Sequence, residues 1–195
     1  MGFRIDWTTD AGQLAAIEAT LDDVRTHADA LARGYNEPRN ASLMGHDEPL
    51  SPAEVVDHYA DMIDDGARAF LLFRNGVLDG DGDLRGCHDG AAEFAFMIGA
   101  PDAQGKGLGT RYAIMIHAFG FREAGLHHIY ASIVPHNTAS RRVFEKLGYW
   151  LDDSAIARTF ADEPGDLVMA IDLATFQRVN ADVLPHLQFS VLPDR

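Results

Sequence analysis

Ala92-Glu93-Phe94-Ala95-Phe96-Met97-Ile98 leads through Gln104-Gly105-Lys106-Gly107-Leu108-Gly109-Thr110 into an apolar segment that ends near Ala124. The order reads as a strand, a glycine-rich turn and a helix, and it constrains the chain more than any other stretch. A turn of this kind aims a fan of free backbone N–H groups at whatever sits above the helix N-terminus, so the segment predicts an anion cradle.

Two familiar phosphate motifs do not describe it. The dinucleotide pattern G-x-G-x-x-G needs a third glycine where Thr110 stands. The P-loop needs Ser or Thr after Gly105-Lys106 and a glycine in the leading position, where the chain has Gly107 and Ala100. The six residues from Gln104 to Gly109 instead fit Q/R-x-x-G-x-G/A at every fixed position. A second block, Asn137-Thr138-Ala139-Ser140-Arg141-Arg142-Val143-Phe144-Glu145-Lys146-Leu147-Gly148-Tyr149, fits N-x-x-S/A-x-x-x-Y-x-K-x-G-F/Y with one departure, Phe144 in place of tyrosine. On these two blocks the chain resembles the GNAT superfamily of N-acetyltransferases over residues 69–176.

The resemblance implies an α/β (α+β) fold with a central mixed, mostly antiparallel twisted sheet of six to seven strands flanked by helices. A chain of 195 residues with 47% hydrophobic content suits one domain spanning 1–195, with residues 180–195 as an extension beyond the last strand the pattern requires. That tail is expected to pack against a neighbour. No apolar run approaches the ~20 residues of a membrane span, and the N-terminal residues lack the basic and apolar regions of a signal peptide, which predicts a cytoplasmic protein. Cys87 is the only cysteine, so an internal disulfide and a cysteine-based zinc site are excluded. It reads as an ordinary strand residue.

The net charge of −14 argues against nucleic acid as a partner. Its distribution is more informative: residues 1–66 hold fourteen Asp and Glu against four Arg, whereas residues 104–146 hold six Lys and Arg against two Glu. An acidic chain with one basic island on the expected cradle suits a polyanionic ligand.

Along the chain, residues 3–7 read as a first strand, and Thr8, Thr9 or Asp10 as the cap of a helix through Leu14, Ile17 and Leu21. A second helix is expected over 24–34, anchored by Leu31, and a loop over 35–50. In the family this last region lies over the acceptor. Ser51-Pro52-Ala53-Glu54 is a helix start with a capping box, and Val55, Tyr59 and Met62 or Ile63 form its buried stripe. The acids Asp57, Asp61, Asp64 and Asp65 read as its solvated face.

Residues 69–73 form a strand and Asn75-Gly76 a hairpin turn. Asp79-Gly80-Asp81-Gly82-Asp83 spaces acids as a calcium loop does, but an EF-hand would need glycine at 84 and glutamate at 90, where Leu84 and Gly90 stand. It reads as a polar turn. Strands follow over 84–88 and 92–98. The helix after the cradle carries Leu108, Tyr112, Met115, Ile116 and Phe119 and stops at Arg122 with Gly125 as C′. Residues 129–134 are a central strand. Asn137 caps a helix over 138–147, and 149–151 and 167–171 supply two more strands.

The remaining expectations come from the resemblance. It implies acetyl-CoA (coenzyme A) as co-substrate and no metal. Gln104, Gly105, Lys106, Gly107, Leu108, Gly109 and Thr110 would hold the pyrophosphate, with Met97, Ile98, Asn137, Ser140, Arg142 and Phe144 along the rest of the cofactor. The thioester would lie where the strand ending at Ile98 splays from the next, with the Met97 N–H polarising its carbonyl. Glu93, on the same strand face as Ala95 and Met97, is the candidate base. Phe144 cannot protonate a leaving thiolate as a tyrosine would, which leaves Tyr130 or Tyr149, or water, or a turnover that needs no thiolate protonation. Residues 92–99 and 119–126 look most like the branch holding spermidine and ribosomal-protein N-terminal acetyltransferases, and so imply an amine acceptor. The alternative is a GNAT-fold module that binds acyl-CoA as a sensor or interaction partner; a homodimer is compatible with either.

Overall fold

The computed structural model describes residues 2–44, 48–99 and 103–193. The chain opens with β1 (Gly2–Thr9) and β2 (Gly12–Glu18), an antiparallel hairpin. The second of these strands corrects the expected helix through Leu14 and Ile17. Thr9 does not cap a helix; its hydroxyl accepts the Ala11 N–H and donates to the Gly12 carbonyl, both at 3.1 Å, closing the hairpin turn. Leu14, Ala15 and Ala16 are all buried because helices cover both faces of the sheet, so this strand shows no alternation for a reader of the sequence to find.

Helix α1 (Leu21–Tyr35) starts at a capping box between Thr20 and Asp23. The region expected to be a loop contains α2 (Pro38–Met44), a correction whose cause is Glu37: its Oε2 accepts the N–H groups of Arg39 and Asn40 at 3.0 and 3.1 Å, a cap supplied by an unusual residue. Residues 45–47 of that region lie outside the described residues. Helix α3 (Pro52–Asp64) begins at the expected Ser51–Glu54 box, buries Val55 and Tyr59, and leaves Asp57, Asp61, Asp64 and Asp65 exposed.

Strands β3 (Arg68–Arg74) and β4 (Val77–His88) meet at Asn75-Gly76, both at positive φ as a tight hairpin requires. The Asp79–Asp83 pentapeptide is no turn. It lies inside β4, where Asp81 and Asp83 point to one face and Gly80 and Gly82 to the other. Glycine is forced at Gly80, where a Cβ would stand 2.0 Å from the Met97 carbonyl oxygen, and the fit is tight at Gly82, where one would stand 3.0 Å from Ile116 Cδ1.

The rest follows as β5 (Ala91–Ile98), α4 (Leu108–Arg122), β6 (His128–Ile133), α5 (Thr138–Leu147), β7 (Trp150–Leu151), β8 (Leu167–Asp172), α6 (Leu173–Val179) and β9 (Gln188–Leu192). Glu123 is the C-cap of α4, so Gly125 falls one position beyond C′. Among the described residues nine strands run β7-β8-β6-β5-β4-β3-β2-β1-β9, antiparallel throughout except β5 beside β6. The sheet is mixed and mostly antiparallel as expected, with more strands than the six to seven anticipated. β2 is one addition. β9 is another: the tail pairs with β1, Gly2 opposite Leu192.

Helix α4 fills one face of the sheet, its Tyr112, Met115, Ile116 and Phe119 packed with Leu84, Phe94 and Ile129. Helices α1 and α3 cover the other face over Leu71 and Met97, and Tyr130, Val168 and Ala170 extend that side beneath Ala157 and Phe160. Among the described residues no helix is long and apolar enough to cross a membrane, and no group of His, Cys, Asp and Glu could hold a metal ion.

Candidate functional site

Residues 103–107 turn tightly into α4, with Gly105 and Gly107 both at φ near 75°. That left-handed conformation is open to glycine and strained for other residues. Gly107 is the N-cap of α4 and offers no side chain, so the first N–H groups of the helix, from Leu108 to Thr110, receive no side-chain cap. Among the described residues, a Cβ at Gly105 or Gly107 would meet nothing within 4 Å, so nothing described crowds the outside of the turn. Gly109 faces inward, where a Cβ would come 2.9 Å from Phe96. Leu108 is buried in the core, and Lys106 is exposed beside the open amides.

Gln104 faces the protein. Its Nε2 donates to the Ile98 carbonyl at 2.9 Å and to Asn40 Oδ1 at 3.2 Å, and Asn40 in turn donates to the carbonyls of Gly34 and Ile98. The fixed Gln of the motif therefore ties the end of β5 to α1 and α2. Asn137 accepts the Ser140 N–H at 3.0 Å as the N-cap of α5. Arg142 is exposed and has no ion pair among the described residues, whereas Arg141 pairs with Glu145 at 2.8 Å.

Among the described residues the one parallel pairing in the sheet is also the shortest of the internal ones. β5 and β6 are in register only at Ala91–His128, Ala92–Ile129 and Glu93–Tyr130. Beyond Glu93 the two strands part, so Phe94 to Ile98 have a partner strand only on the β4 side. The cradle stands above the open end of this wedge.

Carboxylates line the sheet face beside the wedge. Glu93 is 7% exposed. Burial pushes its carboxyl up to about 7; Asp162 and Asp83 push the same way, while Arg85 and the Ser132 backbone N–H oppose. Ser132 also accepts the Asp162 N–H at 3.0 Å and donates to Asp166 at 3.0 Å, so one serine at the wedge holds both Glu93 and the loop between β7 and β8. Asp162 is raised by burial and by Asp166, against the pull of Arg85. Asp83 forms a two-pronged ion pair with Arg85 at 2.7 and 2.9 Å. Further along β4, Asp81 accepts the hydroxyls of Tyr35 and Tyr59.

The hydroxyl-bearing candidates lie apart from one another. Tyr130 is paired in register with Glu93 and stacks on Phe160, ring centroids 4.4 Å apart. Tyr149 is in the core on the α4 side, its hydroxyl bonded to Nε2 of His117. Phe144 is 2% exposed and packs edge-on against Phe94, Phe96 and Tyr149. Burial raises the Cys87 thiol, which keeps it protonated. Sequence reasoning passed over Asp81, Ser132, His117 and Asp162. Only Asp81 carried a signal, the two-residue alternation of acid and glycine that marks a strand.

Comparison with known proteins shows the family. The family model described as an acetyltransferase (GNAT) domain matches residues 19–150. Spermidine N(1)-acetyltransferase of Escherichia coli (strain K12) is 29% identical over 149 residues, covering 71% of this chain and 76% of the relative. Among solved structures, Mycobacterium smegmatis RimJ in complex with CoA-disulfide superposes with a TM-score of 0.68 at 16% identity, over 95% of this chain and 96% of that one. Spermidine N-acetyltransferase from Vibrio cholerae, in complex with CoA and spermine, gives 0.65 at 23% identity, over 84% and 97%. The chain belongs to the GNAT family of acyl-CoA-dependent N-acyltransferases.

Proposed function

We propose that the protein transfers an acetyl group from acetyl-CoA to the primary amine of a small cationic molecule or of a peptide N-terminus. The observation that carries this reading is the row of carboxylates, Glu93, Asp83 and Asp162, on the sheet face beside a wedge that opens directly below the cradle. Acetyl-CoA supplies an activated acetyl thioester; the chain supplies position, polarisation and a base. The amides of Gly107 to Thr110 and the charges of Lys106 and Arg142 hold phosphate. The β4–β5 register turns the Met97 N–H toward the Asp81 carbonyl, which corrects Met97 as the thioester donor; the N–H groups of Phe96 and Ile98 face the wedge instead, and one such donor is typically worth ~3 kcal/mol.

Glu93 takes the proton from the acceptor ammonium. Four residues along a strand place its Cα about 13 Å from that of Met97, so the proton reaches it along a chain of several waters. A carboxyl held near pH 7 ionises where an amine must be deprotonated, which suits the task. The acceptor is drawn as a cation by the acidic residues that dominate the first third of the chain. Spermidine and spermine stand in the names of two relatives, which supports an amine acceptor here.

One observation favours a second reading, an acyl-CoA-binding sensor with weak chemistry: Phe144 carries no proton and the Tyr149 hydroxyl is committed to His117. Steady-state release of free thiol from acetyl-CoA, with a panel of polyamines, aminoglycosides and peptides, separates the two. Turnover on any cationic amine is expected; tight cofactor binding with no turnover on the whole panel would select the sensor.

A further inference from the structure

Glu93 lies in register between Arg85 on β4 and Tyr130 on β6, on the face of the sheet that α1, α3 and the loop between β7 and β8 cover. Three carboxylates, Asp83, Glu93 and Asp162, gather here around the one guanidinium of Arg85. Both prongs of that guanidinium go to Asp83, at 2.7 and 2.9 Å. Among the described residues neither Glu93 nor Asp162 has an ion pair of its own, so the two are left with an unneutralised charge between them.

What brings Asp162 to this place is Ser132. It stands two residues past the last pairing of β5 with β6, on the same face as Tyr130. Its hydroxyl accepts the Asp162 N–H at 3.0 Å and donates to Asp166 Oδ2 at 3.0 Å, which fastens the loop at two points. Its own N–H turns into the wedge toward Glu93, because its partner Val168 gives its carbonyl to Asp152 on the far side of β8. Phe160 is the second fastening: its ring stacks between Tyr130 and His88, with centroids 4.4 and 5.1 Å away. A loop held this firmly keeps its charge at a fixed place.

We propose that Asp162 is a positioning residue for the transfer and that Ser132 is the clamp that delivers it: the negative charge held against Glu93 makes that carboxylate a stronger base. The inference rests on the acetyltransferase reading, with Glu93 as its base, and deepens it. Asp162 touches no reacting atom and acts only through Glu93. Asp83 and Arg85 from β4, Tyr130 from β6, Asp162 from the loop and Tyr149 from the α4 side are the titratable and charged groups that bear on Glu93. Burial raises both tyrosine hydroxyls and keeps them neutral, and Asp83 is matched by Arg85, so Asp162 is the charge left over. Glu93 is buried and Asp162 is exposed, so a proton taken up by the pair goes to Glu93.

The test is titration of the Glu93 carboxyl by ¹³C NMR in the protein without acceptor, the resonance being assigned by its loss in Glu93→Gln. Asp162→Asn keeps the backbone N–H bonded to Ser132, so it removes the charge without releasing the loop, and the Glu93 midpoint should move down by about 0.5 to 1 in pH. Ser132→Ala should move it the same way by freeing the loop, and Ser132→Thr, which keeps the hydroxyl, should restore it. The midpoint of kcat against pH, measured with the best acceptor among polyamines, aminoglycosides and peptides, should follow, with a plateau about two- to threefold lower because the base is weaker. A contact that only supports the fold would lower kcat at every pH and leave the midpoint in place. A Glu93 midpoint that Asp162→Asn leaves unmoved, or moves upward, overturns this inference alone. A wild-type protein that binds acetyl-CoA but acetylates no amine overturns the acetyltransferase reading, and this inference with it.

Discussion

The Tyr149 hydroxyl donates to Nε2 of His117, whose Nδ1–H donates to the Ala113 carbonyl, so a neutral imidazole is locked between two partners with no access to water. Burial holds its pKa down to about 3, against an ordinary value of about 6.5.

A lowered pKa in the folded state makes the protein sensitive to acid. The contribution of His117 is fully present above pH 6.5 and is lost as pH falls toward 3, with a slope of up to about 1.4 kcal/mol per pH unit. Glu93 has the opposite sign, because its raised carboxyl favours the protonated folded form as pH drops below 7. Urea unfolding of wild type and His117→Gln at several pH values between 7 and 4 separates them. The variant should lose stability less steeply on acidification; parallel curves would show that the imidazole is not held neutral.

Phe144→Tyr restores the family residue in a place that has closed around phenylalanine. The ring is packed among Phe94, Phe96 and Tyr149, with no described partner for a new hydroxyl. A loss of about 1–3 kcal/mol in unfolding free energy is expected, and no rise in kcat. Stability at the wild-type level together with faster turnover would mean that the position still serves as an acid.

Gly107→Val tests the cradle. The new side chain meets no neighbour, so its effect comes from the backbone alone: forcing a β-branched residue to φ near 75° costs about 1–2 kcal/mol or reshapes the turn. Calorimetric titration should show acetyl-CoA affinity reduced about tenfold or more. Retained affinity would place the pyrophosphate elsewhere.

If Glu93 accepts the proton, the carboxylate must be ionised, so kcat should climb with pH and level off above about 7. Glu93→Gln should flatten that profile and lower kcat by about 10²- to 10⁴-fold. A variant that keeps the wild-type profile would remove Glu93 from the chemistry.

The parts of the site that were legible in the sequence are the ones built from local rules. Glycines at Gly105 and Gly107, the Ser51–Glu54 box and the Asn137 cap each announce a backbone geometry that depends on a few neighbouring residues. The illegible parts depend on contacts far apart in the chain. Leu14 to Ala16 looked helical because both faces of β2 are covered by helices drawn from elsewhere. Asp79 to Asp83 looked like a solvated turn because nothing local says that Tyr35, Tyr59, Tyr112 and two arginines will come to meet those carboxylates. Charge that is paired across a fold reads, along the chain, as charge bound for water.

Across its middle the sheet is stitched by three residue pairs between β5 and β6, leaving six strands on one side and three on the other. Whatever lies in the wedge takes up hydrogen bonds that an uninterrupted sheet would have made with itself, so occupancy and the rigidity of the whole framework are one equilibrium. Filling it should slow amide exchange in Phe94 to Ile98 and Ala131 to Ile133 together, as though a missing strand had been put back.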